Sequence, residues 1–117
     1  FWQKACEFFD GMRGAELDGK RNLACLSAIH CAISSADALS VFSLGKHSAS
    51  QRHEDAARLI RQIQLQDGDE MASRLLYIVG RKHLVEYEDG QPTEKEARRI
   101  VSETKRFFEW VQKQLPA

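Results

Sequence analysis

His30, Ser34 and Asp37 are the residues of this chain whose types and spacing best suit chemistry, and all three lie inside the apolar run Leu23–Leu44. At about 100° per residue they fall within one narrow stripe of a helix. A carboxylate in such a stripe can orient a histidine that moves a proton. The same groups equally make a buried hydrogen-bond network with a structural job. A hydrolase triad is disfavoured, because one straight helix would supply all three residues and no oxyanion donors stand nearby. Burying a lone carboxylate is costly, so Asp37 requires a cation or donors from elsewhere in the chain.

Two further groupings carry ionisable side chains. Lys82, Glu86 and Tyr87 follow Arg81 and flank His83. Lys82 and Glu86 are four apart, the spacing of an ordinary helix-surface ion pair, although the acid follows the base in the weaker order. Lys82 also falls on the side of Leu75, Ile78 and Val79, from which its ammonium can reach Asp37. The other grouping, His47, His53, Glu54 and Asp55, has the ligand types that suit zinc or iron. It lacks the inward Glu and Glu-x-x-His pattern of di-iron bundles, and Glu54 and Asp55 suit a helix first turn, so no metal is assigned. No glycine-rich phosphate loop is present, and no cofactor is called for.

The elements that must position these residues read as helices throughout. Leu23–Leu44 contains neither Gly nor Pro and is apolar around most of its circumference, with Leu26, Ile29 and Ile33 on one face and Ala24, Ala28, Ala32 and Ala36 beside them. That pattern predicts a buried central helix. Before it, Phe1–Met12 predicts a short helix ended by Gly11 and Gly14, and Asp18 is the expected N-cap of the central helix. Gly45 suits the position just beyond that helix. Ser48 or Ser50 is expected to open a third, amphipathic helix through Ala56, Leu59, Ile60 and Ile63. Asp69 then caps a helix from Glu70 to about Tyr87 that Gly80 interrupts as a packing point or mild kink. Thr93-Glu-Lys-Glu96 is a capping box opening the last helix, which keeps Ala97, Ile100, Val101, Thr104, Phe107, Phe108, Val111 and Leu115 on one face and stops before Pro116. No stretch alternates with period two. The chain reads as one all-α domain over residues 1–117, an up-and-down four-helix bundle with an additional short N-terminal helix.

Composition bounds the function. The 117 residues suffice for a single core without metals or disulfides. Seventeen basic and seventeen acidic residues cancel, so no global field draws the chain to nucleic acid or to an acidic membrane. A nucleic-acid role therefore needs a local patch, for which Arg81-Lys-His83, Arg98-Arg99 and Lys105-Arg106 are the basic clusters. Cys6, Cys25 and Cys31 have no metal or disulfide spacing and read as reduced residues of a cytoplasmic protein. Neither a signal-peptide pattern nor a membrane-spanning run of ~20 apolar residues is expected. The chain begins at Phe1 rather than Met, which leaves room for a preceding segment.

With these residues in view, the chain resembles the HEPN superfamily of small helical bundles, specifically its compact bacterial single-domain members. The likeness covers roughly Leu23 to Leu115. It rests on Ala28-Ile-His-Cys-Ala-Ile-Ser-Ser-Ala-Asp-Ala-Leu39, the Gly45–His53 loop with Glu54-Asp-Ala-Ala-Arg-Leu-Ile60, Lys82-His-Leu-Val-Glu-Tyr87, and the last helix opened by Pro92-Thr93. The resemblance implies a homodimer, in some members bound to a nucleotidyltransferase partner as toxin and antitoxin. Its catalytic members are metal-independent ribonucleases whose arginine and histidine stand four to six residues apart. This chain departs from that spacing at Arg74 with His83, at Arg52-His53 and at Arg81-Lys-His83. Asp37, His53, Lys82 and Tyr87 match polar positions of non-nuclease relatives. The expected function is a non-catalytic interaction or ligand-binding module of unknown cellular role. His30, Ser34, Asp37, His53, Lys82 and Tyr87 form its polar core or pocket for a nucleotide, an RNA or another small anion. The alternative is a ribonuclease toxin, with His83 as general acid or base and Arg81 on the phosphate. A metal-dependent enzyme using His47 and His53 ranks third.

Overall fold

The computed structural model describes residues 1–48, 53–87 and 91–116. Six helices carry the described residues: α1 Trp2–Leu17, α2 Arg21–Leu44, α3 His53–Ile63, α4 Gly68–Gly80, α5 Lys82–Tyr87 and α6 Glu94–Gln114. No strand occurs among the described residues, and the fold is the all-α bundle that the periodicity predicts.

Inter-helix contacts give the directions. Trp110 Nε1 donates to Gln66 O, Arg74 pairs with Glu103 and Arg99 lies over Tyr77, so α4 and α6 run antiparallel in a constant register. Arg21 donates to Pro92 O at one end of α2, while Ala38, Val41 and Phe42 share a groove with Leu115 at the other. Helices α2 and α6 are therefore parallel. Phe1 meets His47 just beyond α2, and Lys105 reaches Glu16, which sets α1 antiparallel to both. Helices α1, α2, α4 and α6 thus alternate up and down around the core, with α3 laid beside α4 as a hairpin held by Arg61 on Asp69 and Ser73.

The N-terminal helix is longer than its glycines suggest. It runs through Gly11 and Gly14 to Leu17, and Asp18 closes it instead of capping α2, whose N-cap is Lys20 without a side-chain cap. A helical glycine costs roughly 1 kcal/mol against alanine. Fully buried Met12 and nearly buried Ala15, packed in the main core, outweigh that cost. At Gly11 a side-chain carbon would stand 3.6 Å from Ser27 Oγ, an ordinary van der Waals contact with α2.

Other boundaries also shift. Helix α4 begins at Gly68 with Asp67, in the left-handed region at φ 64°, as its N-cap, and Asp69 lies within the first turn. Gly80 ends α4 instead of bending a continuous helix, and Arg81 separates it from α5. Ser48 precedes α3 outside any helix, and Ser50 lies outside the described residues. Gly45, at φ 72°, terminates α2 with its amide on Val41 O. Thr93 and Glu96 form the capping box of α6, with bonds of 3.1 and 3.0 Å.

Helix α2 is the hub. It is long and apolar enough to cross a membrane, yet 67% of its apolar window is buried inside the bundle, as befits the core helix of a globular domain. Its Ile29 and Leu39 are fully buried, as are Ile60, Leu75, Ile78, Ile100, Phe107 and Val111 from the other helices.

Candidate functional site

The polar stripe of α2 is real as a register and divided as a site. His30 is half-buried, with its Nε2 3.4 Å from Glu86 Oε1 of α5. Its ring stacks on Phe8 of α1, centroids 5.2 Å apart. Ser34 is buried. Asp37 stands about 10 Å beyond His30 along the axis at 1.5 Å per residue. Burial pushes its carboxyl above the ordinary value, against the fields of His47, the amino terminus and Lys4. The stripe thus serves two neighbourhoods: α5 packs by the first half of α2, and the start of α1 meets the second half.

That division decides what surrounds Asp37. The charges that bear on it come from α1 and from the segment after α2. Lys82 lies on α5, whose Val85 and Glu86 line a surface recess with Asn22, Leu23, Leu26 and His30. Lys82 is half-buried and makes no ion pair with any described residue. Glu86, read from the sequence as a partner for Lys82, instead faces His30. The side chains of His53 and Tyr87 lie outside the described residues.

The remaining nominated groups are dispersed. His47 is exposed, its ring edge-on to Phe1 at 4.7 Å and its Nδ1 3.2 Å from Ser48 O. Asp55 is paired with Arg58 at 2.8 Å. Among the described residues no cluster of three or more His, Cys, Asp or Glu side chains is placed to hold a metal. Arg74 is held by Glu103 at 2.6 Å and Glu70 at 2.8 Å, and these bonds raise its already high pKa. His83 is exposed on α5. Burial raises the Cys25 thiol to about 11 and the Cys31 thiol to about 12, so both stay protonated and unreactive near neutrality.

Two surface features escape a reading by motif. On the α4–α6 face, the Arg99 guanidinium carbon lies 4.0 Å from the Tyr77 ring centroid and that of Arg81 lies 5.2 Å from it. The Tyr77–Arg81 half was legible as a spacing of four on one helix. The Arg99 half needed the register of α6 on α4. At the end of the bundle, Phe1, Trp2, Ala38, Val41, Phe42, Leu115 and Pro116 line an apolar groove of about 390 Å³. Phe1 and Phe42 are more than half exposed there. A row of apolar residues on an otherwise buried helix conceals such a groove, because periodicity does not say which end of α2 lacks a neighbour.

No curated protein and no solved structure matches the chain. The model of the HEPN domain matches residues 1–114, taking in α1 as well as the Leu23–Leu115 stretch that carries the sequence likeness, and the chain therefore belongs to the HEPN domain family.

Proposed function

We propose that this HEPN domain is a non-catalytic helical interaction module of the cytoplasm that pairs with a second copy of itself through the apolar groove at the Phe1–Phe42 end. The observation that carries the reading is that groove, whose rim holds three of the large apolar side chains exposed on the molecule, Phe1, Val41 and Phe42. Contiguous apolar surface with a polar rim is the mark of an association site. The pairing also agrees with the homodimer that the family likeness implies. Arg74 is committed to two carboxylates and the arginine–histidine spacing departs from the ribonuclease pattern, which supports the non-catalytic half of the reading.

Light scattering on the full chain tests this directly. The expected mass is twice the 13.3 kDa of the chain, and Phe42→Glu, at a surface position, should give the single-chain mass with unchanged helical content. A wild-type monomer at every concentration, or a Phe42→Glu dimer, overturns the pairing. Cleavage of RNA by the wild type that His83→Ala abolishes overturns the non-catalytic reading.

A further inference from the structure

We propose that Arg81 and Arg99, gathered on the ring of Tyr77, form a binding site for a phosphate group. The site is independent of the pairing groove and lies on the α4–α6 face. Arg81 follows the end of α4, one turn after Tyr77, and Arg99 reaches the same ring from α6. Because both guanidinium carbons are that close to one centroid, they cannot be further apart than the two distances combined. Two cations within that span repel, and an anion that meets both removes the repulsion.

The surroundings sharpen the case. Arg74 on this face is neutralised by Glu70 and Glu103, and Arg98, on the side of α6 toward α1 and α2, by Glu94 at 2.6 Å. Arg81 and Arg99 have no ion pair or hydrogen bond with any described residue. The Nε of Arg81 is buried without a partner. Glu96 is the acid whose field reaches Arg81, and its Oε1 already accepts the Thr93 amide. Stacking on a tyrosine holds a guanidinium plane while leaving its N–H edge open, and that planar fork matches phosphate oxygens two at a time. The site is therefore a pair of guanidinium groups stacked on one ring, neither in an ion pair among the described residues. Lys95 and Arg106 are exposed at the same helical phase of α6 as Arg99, about 16 Å apart at 1.5 Å per residue. They offer further contacts if the phosphate belongs to a chain of phosphodiesters.

The test follows the arginine Nε–H signals of the full chain by NMR during titration with inorganic phosphate. The Arg81 and Arg99 signals should shift together and saturably. Arg99→Gln should weaken binding about tenfold, the equivalent of about 1.4 kcal/mol. Arg81→Lys, which keeps charge but loses the fork, should also weaken it several-fold. Arg98→Gln, next in sequence but paired with Glu94, should change it less than twofold. Arg99 is exposed, so its variant remains informative even if substitution at Arg81 perturbs folding, and melting curves report that directly. No saturable shift, or equal weakening by Arg98→Gln and Arg99→Gln, overturns the proposal. A parallel titration with a ten-residue oligouridylate lacking terminal phosphates separates the sources. Tight binding that Arg106→Gln weakens identifies a nucleic-acid backbone, and binding confined to inorganic phosphate identifies a small phosphorylated ligand.

Discussion

Asp37 shows how far a single residue can be read before its neighbours are known. Its burial follows from its place on an apolar helix, and the cost of burying a carboxylate follows from elementary electrostatics. Its neighbours do not follow, because they come from Lys4 and the amino terminus at the far end of α1 and from His47 beyond Gly45. The burial wins over those three fields, so the folded chain holds the Asp37 proton more tightly than the unfolded chain does. A group with a raised folded pKa supports stability most fully below its unfolded value, 3.8 here, and progressively less as pH rises through the folded value. Replacement by the neutral isostere removes that pH-dependent loss. Asp37→Asn should therefore equal the wild type or exceed it by no more than about 1 kcal/mol at neutral pH. Paired urea titrations at pH 3 and pH 7 check this, with the gap expected to open only toward the higher pH. A large loss of stability at pH 7 would mean that the charged form has a strong partner.

At the scale of elements, signals confined to three or four residues were legible and signals requiring a comparison of energies were not. The capping box of α6 is decided by Thr93 and Glu96 alone, and both of its bonds form. The end of α2 is decided by the left-handed backbone of Gly45. By contrast, the length of α1 turns on whether two helical glycines outweigh the burial of Met12 and Ala15 on its partners, and no local rule contains that balance. The α4–α5 break falls at Gly80 and Arg81, where exposed Gly80 is the last residue of α4. The cap gives the clearest test. Thr93→Ala should lower stability by about 1 kcal/mol, and Thr93→Ser should restore most of it, both read by thermal melting. Hydrogen bonding to Thr93 holds the Glu96 carboxyl below its usual 4.5. A group with a depressed folded pKa supports the fold above the unfolded value and loses that support as pH falls. The contribution of Glu96 to the box should accordingly fade on acidification through the carboxylate range.

At the scale of the whole molecule, the helical class and the central place of α2 could be read from its all-round apolar circumference, whereas the function of its surface could not. Periodicity sorts residues into inward and outward. It does not show that Val41 and Phe42 point outward beside Phe1 and Leu115, nor that α6 carries Arg99 to Tyr77. Both features arise where two chain-distant elements end or cross. They also lie on different faces, which makes their consequences separable. If the groove joins two copies, folding and association are coupled, and the melting temperature must rise with protein concentration. A hundredfold increase adds about 2.7 kcal/mol per dimer by mass action, which for a domain of this size corresponds to roughly 5 °C. The wild type should show that rise in melts taken across a hundredfold concentration range. Phe42→Glu should melt at one temperature throughout, because its folding no longer depends on a partner. Arg99→Gln should keep the wild-type concentration dependence, since the phosphate-binding face takes no part in pairing. A wild type whose melting temperature is independent of concentration would leave the exposed phenylalanines at that end without a second copy to cover them.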